Sequence, residues 1–172
     1  RTYKWYTKEP VFPFGHGLHY TTFNVSLSAD LPTTFSTVDL TKNVSFTEIG
    51  PVASGNYPDL APFTSVPVLV ANTGNVTSDY VVLAFLKGEY GPEPYPIKSL
   101  VAFTRIHDIK PGEIGTATLD ITLGAISRSD KDGGLTLWPG KYKLALDVDD
   151  RAAWDFEITG DQVVLEKLPP KK

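Results

Sequence analysis

An all-β sandwich of about seven strands is the fold class that this sequence predicts, and three observations predict it. Apolar residues recur with period two in short runs, the pattern of strands with a buried and an exposed face. Those runs are separated by clusters of Gly, Pro, Asn and Asp, which punctuate the chain at short spacing. No stretch carries a convincing helical period. A small closed barrel is the alternative that the pattern leaves open.

Taken in order, Arg1–Tyr6 (RTYKWY) is aromatic and basic and reads as the end of a preceding element. The segment Val11–Phe23 (VFPFGHGLHYTTF) is barred from a helix by Pro13, Gly15 and Gly17, yet it is rich in large apolar side chains. Exposed loops are normally polar, so this one is expected to bury Phe12, Phe14, Leu18 and Tyr20 against the sandwich and a neighbouring domain. Phe23–Ala29 alternates as a half-buried strand. From Asp30 to Pro62 the chain turns loop-like, with a weak strand at Val44–Ile49, and reads as a wrapping insertion.

The stretch Ser65–Leu86 anchors the rest. Val66, Val68 and Val70 share one side of its first run, and the second run, Tyr80–Leu86, is apolar on both sides. A strand of that kind has to be covered twice, which places it in the middle of the fold. Between the runs, Asn72-Thr73-Gly74-Asn75 is a turn, where Gly74 supplies a positive φ if one is needed. Lys87–Lys98 holds Pro92, Pro94 and Pro96 in alternation, which favours a stiff extended loop. Further strands follow at Leu100–Ile106, Thr116–Leu123, Leu135–Trp138, Tyr142–Val148 and Trp154–Thr159, and Gln162–Leu165 adds a short one. The core is expected to contain Val68, Val70, Val82, Leu83, Phe103, Leu119, Tyr142, Leu144 and Phe156.

The 172 residues are 41% hydrophobic and 12% aromatic, ample for one core, with a net charge of −4 and signs well mixed. Without a clustered basic stripe, a nucleic-acid footprint is not expected. No apolar run approaches the ~20 residues needed to cross a bilayer as a helix, so no membrane partner is expected either. Met and Cys are both absent. The chain therefore reads as a piece of something longer, with no disulfide, thiolate metal site or Cys nucleophile. Asn24-Val25-Ser26, Asn43-Val44-Ser45 and Asn75-Val76-Thr77 are N-glycosylation sequons, which points to a secreted, extracellular protein.

His16 and His19 lie three apart, but the flanking glycines preclude a shared helical face, and packing is favoured over a metal. Asp130-Lys131-Asp132-Gly133 opens like a calcium loop and then fails, because Lys141 stands where a bidentate Glu is required. Asp147, Asp149 and Asp150 read as a solvated turn. Neither a nucleophile elbow nor a phosphate loop occurs. Tyr3, Trp5 and Tyr6, or Tyr90 and Tyr95, could stack on sugars, although interface packing explains them as well. No catalytic residue, metal site or cofactor is expected.

The segment Phe12–Phe23 resembles the entry into the C-terminal domain of glycoside hydrolase family 3 enzymes. Ala71-Asn72-Thr73-Gly74 with Ser78-Asp79-Tyr80-Val81, then Leu100–Ile106, Lys110-Pro111-Gly112-Glu113 and Trp138-Pro139-Gly140-Lys141-Tyr142 agree with it in order. The resemblance implies a fibronectin type III-like, immunoglobulin-like β-sandwich over residues 23–160. Residues 1–22 would be a linker from a catalytic α/β domain, 31–63 a long insertion, and 161–172 a C-terminal tail. Tyr90–Pro96 and the insertion look like the fungal β-xylosidase branch, whereas His16 and His19 depart from the residues common in β-glucosidases.

In such enzymes an Asp nucleophile and a Glu acid/base come from upstream domains, and the mechanism retains configuration. The resemblance thus implies an accessory domain of an exo-1,4-β-xylosidase acting on xylo-oligosaccharides. Its partners would be the upstream catalytic domains, and Tyr90 and Tyr95 would lie on a loop near the substrate mouth. The same domain of a β-glucosidase, a stand-alone carbohydrate-binding module or an adhesion-type sandwich are the alternatives.

Overall fold

The computed structural model describes residues 2–44 and 57–168. Among these the strands run β1 (Phe23–Leu27), β2 (Thr34–Ser36), β3 (Pro62–Asn72), β4 (Ser78–Tyr90), β5 (Ser99–Ile109) and β6 (Ile114–Thr122). They continue as β7 (Arg128–Ser129), β8 (Leu135–Leu137), β9 (Gly140–Leu146), β10 (Ala152–Thr159) and β11 (Val163–Glu166). Three short helices, α1 (Thr2–Trp5), α2 (Thr37–Thr41) and α3 (Leu123–Ile126), and a 3₁₀ turn at Pro58–Leu60 decorate them. The class is all-β, as the alternation predicts. The described strands number eleven rather than about seven; four of them, β2, β7, β8 and β11, are only two to four residues long, and of these β2 and β7 were not expected. Most of the weak strand expected at Val44–Ile49 lies outside the described residues.

One sheet has the order β1-β3-β6 and a second the order β2-β10-β9-β4-β5, while β11-β8-β7 form a third, small one. The two apolar runs of Ser65–Leu86 thus lie in different sheets, and the turn between them is a crossover from one layer to the other. Inward side chains of both layers, among them Val66, Val68, Val70, Val82, Leu86, Leu119, Leu144 and Leu146, form one cluster and are at most 2% exposed. Burying an aliphatic or aromatic side chain of this size is worth about 1.5–3 kcal/mol, so this cluster sets the stability of the sandwich.

An aromatic stack runs through its middle. Trp154 lies 4.3 Å from Phe156, Phe156 5.1 Å from Tyr142, and Tyr142 4.1 Å from Tyr90, between ring centroids. Phe63 and Phe35, from the border and interior of the expected insertion, close on the same rings. The insertion is therefore partly integral: β2 pairs in parallel with β10. Likewise, β11, the short strand expected at Gln162–Leu165, pairs with β8, so the first part of the segment expected as a tail from residue 161 belongs to a sheet.

Two core assignments change. Phe103 is 70% exposed, and Leu83 is only half-buried. The cause is register. Val82 and Ala84 face inward opposite Thr104 and Ala102, so Leu83 and its cross-strand partner Phe103 point outward together.

Asn72 and Gly74 hold the crossover by means other than a positive φ. Asn72 is 1% exposed, and its amide donates to the carbonyls of Val76 and Ile109, both at 2.8 Å. Its Oδ1 accepts from Thr21 Oγ1 and from the Gly74 backbone. A Cβ on Gly74 would fall 2.8 Å from the backbone nitrogen of Thr22, so close approach of the entry segment demands glycine there.

Candidate functional site

β4 needs cover on its outer side, and the amino-terminal segment provides it. Phe85 lies on that side yet is fully buried. Phe14 stacks on Tyr3 at 4.3 Å, and both rings meet Phe85 edge-on at 6.2 and 6.3 Å. Gly15, at φ +86, passes so close to the strand that a Cβ there would stand 2.6 Å from Leu83 Cδ1. Two further bonds fasten this segment: Ile97 N–H donates to the Lys4 carbonyl at 2.8 Å, and Leu100 N–H to the Tyr3 hydroxyl at 3.2 Å. Farther on, His19 stacks on Tyr80 at 5.2 Å and meets Phe23 edge-on.

The segment covers β4 without covering itself. Phe12 is 71% exposed, Leu18 89%, Tyr20 95% and Phe14 45%. Phe14 packs on this domain as expected, whereas Leu18 and Tyr20 do not, so any burial of those two has to come from another surface. Tyr3, Tyr6, Phe12, Phe14, Ile97 and Lys98 line an apolar groove of about 400 Å³. His16 stacks on Phe12 and His19 on Tyr80, so the two histidines serve different rings.

At the proline-rich loop the two tyrosines part company. Tyr90 is 3% exposed, stacked on Tyr142, and burial pushes its hydroxyl up to about 12. It belongs to the core, which corrects its expected place on a substrate-facing loop. The strand simply runs four residues farther than Leu86, where the apolar pattern ends. Tyr95 is exposed. Arg128 donates to the carbonyls of Tyr90 (2.6 Å) and Pro94 (3.0 Å), and its guanidinium lies 5.6 and 5.8 Å from the two tyrosine rings. Nothing in the local pattern pointed to Arg128, because its partners lie more than thirty residues away.

The carboxylates serve the fold. Asp130 accepts from the backbones of Asp132 and Gly134 and from the Thr136 hydroxyl, closing its turn. Asp79 accepts from the Asp108 backbone, which is the main influence holding its carboxyl below the ordinary value, and lies 2.8 Å from His107 Nδ1. Asp147 departs from the solvated turn expected for it. It is 7% exposed, accepts from the Tyr80 hydroxyl at 2.8 Å and Leu83 N–H at 3.1 Å, and burial raises its pKa. Asn24, Asn43 and Asn75 are all exposed.

Residues 80–155 match the model of the fibronectin type III-like domain family. The chain is 44% identical over 172 residues to a probable exo-1,4-β-xylosidase of Aspergillus clavatus and 43% identical to one of Aspergillus flavus. Each alignment covers 98% of this chain and 21% of the relative, so the chain spans about a fifth of the curated proteins it matches. A solved GH3 exo-β-xylosidase, in complex with a xylobiose aziridine activity-based probe, superposes with a TM-score of 0.84 at 33% identity. That superposition covers 98% of this chain and 21% of the solved one. A β-glucosidase from Kluyveromyces marxianus in complex with glucose shares the fold, with a TM-score of 0.67 and 24% identity over 91% of this chain and 16% of its own.

Proposed function

We propose, from the premise that this chain is a fibronectin type III-like domain similar to those of fungal family 3 exo-xylosidases, that it is the accessory, non-catalytic domain of such an enzyme. The whole protein would remove terminal β-D-xylosyl units from xylo-oligosaccharides with retention of configuration, using carboxyl groups that lie outside these residues. The observation that carries this reading is a 44% identity along 98% of the chain to an exo-1,4-β-xylosidase nearly five times its length. The exposed apolar residues Phe12, Leu18 and Tyr20 support the second half of it, a domain that packs on a catalytic neighbour. Exposed Asn24, Asn43 and Asn75 support secretion as a glycoprotein. Tyr95, held by Arg128 and exposed, is the residue of the proline loop free to face a substrate.

The chemistry within this chain agrees with an inert scaffold. Glycosidic cleavage needs two carboxyl groups in opposite protonation states across a pocket. Here Asp130 is engaged by backbone N–H groups of its own turn, Asp79 by the Asp108 N–H of β5 and Asp147 by the Leu83 N–H of β4.

The test is a side-by-side assay of this chain and of the longer protein on aryl β-xylosides and aryl β-glucosides. The expected outcome is turnover of the xyloside by the longer protein alone. Turnover by these 172 residues, or a strong preference of the longer protein for glucosides, would overturn the assignment. In the same assay Tyr95→Ala is expected to change the kinetics on xylo-oligosaccharides of some chain lengths.

A further inference from the structure

The groove over β4 carries an electrostatic feature that apolar docking does not explain. Its lining ends at Lys98, whose Nζ sits 4.2 Å above the centre of the Phe85 ring. Phe85 is fully buried, so the ammonium is held against the apolar floor of the site. No carboxylate lies within ion-pairing distance of Lys98 among the described residues. The nearby Lys87 is committed to Asp150 through contacts of 2.6 and 2.7 Å and adds like charge. Burial is the largest influence on the Lys98 pKa and lowers it, helped by Lys87, while the more distant Asp150 and Asp149 oppose the shift without reversing it. A partly desolvated cation gains most from a carboxylate brought in with it. The ring contact with Phe85 compensates for only part of the lost hydration.

We propose that this groove is the seat of an apolar segment bearing a carboxylate, contributed by the part of the longer polypeptide that lies outside these residues. The carboxylate pairs with Lys98 while apolar atoms of the segment pack on Tyr3, Tyr6, Phe12 and Phe14. This rests on the accessory-domain reading and adds the chemistry of the contact to it. Charge complementarity and shape select the occupant together. An entirely apolar segment would leave Lys98 unpaired in a now drier site, and an entirely polar one would leave the aromatic walls uncovered. The relatives have ample chain to supply it, since this domain is 21% of their length.

The experiment measures the reactivity of the Lys98 amine and its neighbours in the unaltered proteins. Acylation proceeds through the neutral amine, and pairing with a carboxylate favours the ammonium. One unit of pKa is a factor of ten, so Lys98 should acylate about tenfold more slowly in the longer protein than in this chain alone. Lys131, on an exposed turn, provides the internal rate standard. A zero-length carbodiimide should join Lys98 to an Asp or Glu outside residues 1–172, identified by mass spectrometry. Equal Lys98 rates in both proteins, or a cross-link only to Asp149 or Asp150 of this chain, would overturn the proposal. A uronic-acid-substituted xylo-oligosaccharide that slows acylation in this chain alone would overturn it in favour of a carbohydrate site. The accessory-domain reading fails separately, in the xyloside assay, so the two failures remain distinguishable.

Discussion

The two sides of β4 are made of the same kinds of residue and have opposite fates. Inward, Tyr80, Val82, Ala84 and Leu86 are sealed by the opposite sheet, at 4% exposure or less. Outward, only Phe85 is sealed, and the segment that seals it leaves Phe12, Leu18 and Tyr20 in solvent. The inner side is finished by this chain's own sheets, whose register fixes every contact. The outer side is covered by an irregular segment one layer deep, with its own apolar residues facing away. Apolar character alone therefore does not define a core. What separates core from docking surface is whether the chain supplies a second layer.

The largest effect expected from breaking that contrast is on the inner side. Phe156 contacts Trp154 and Tyr142 by stacking, and Phe63 and Phe35 at 5.4 and 5.8 Å. Phe156→Ala should cost about 3–5 kcal/mol, since four rings cannot collapse into the space of one. Urea unfolding of this chain checks it. A loss below ~1 kcal/mol would mean that the aromatic stack is looser than its geometry states.

Next comes Asn72→Ala, at the crossover between the layers. It strands the Ile109 carbonyl inside the fold, removes the partner of the Val76 carbonyl and frees Thr21, so a loss of about 1–3 kcal/mol is expected. Proteolysis around Thr21 should rise as well, because the entry segment loses a tether. Unchanged cleavage there would show that the entry is held by its ring contacts alone.

A pH-dependent effect follows from Asp147. The groups around it are the Tyr80 hydroxyl, Leu83 N–H, Arg151, which favours its ionised form, and Asp149, which opposes it. Burial is the largest influence and raises its folded pKa above the unfolded value. The folded state therefore binds the extra proton, and the stability contributed by Asp147 is present below the ordinary carboxylate pKa. It is lost as pH rises through the folded pKa. Asp147→Asn should flatten that part of the stability profile above the ordinary carboxylate pKa. An unaltered slope in urea melts across that range would assign the dependence to other groups.

Much of this contrast is legible in the sequence, for reasons that differ by region. The strands β3, β4, β6, β9 and β10 declare themselves because period two persists over many residues. The double apolar character of Tyr80–Leu86 correctly demands two covers, and the Pro- and Gly-rich apolar segment is the second. The short strands β2 and β7 carry too few residues for a period to show; β2 exists through pairing with the distant β10, and β7 through a short hairpin onto the expected β8. Alternation gives Phe103 one of two faces without saying which is inner, so the sequence alone does not exclude it from the core. Lys87, Gly88 and Glu89 interrupt the apolar pattern before Tyr90, so the sequence assigns it to the loop. Arg128 and Lys98 carry no local signal, and Asn72 shows only its place in a turn, because its bonds to Thr21 and Ile109 reach far along the chain.

The smallest effect is expected at Leu18 and Tyr20, and it separates the two sides most sharply. Both are large and apolar, and by composition alone Leu18→Ser and Tyr20→Ser would look as damaging as a core substitution. At 89% and 95% exposure, however, each has little contact with the described residues to lose. Unfolding free energy should stay within about 0.5 kcal/mol of the parent chain, as for surface substitutions in general. The consequence should appear in association instead. Together with Phe12 these side chains form the uncovered part of the segment, and uncovered apolar surface binds dyes and other copies. The double variant should bind less hydrophobic dye and remain monomeric to higher concentration in sedimentation, with its melting midpoint unchanged. A melting loss comparable to that of Phe156→Ala would place both residues inside a layer that this chain completes by itself, and the outer side of β4 would then be core like the inner.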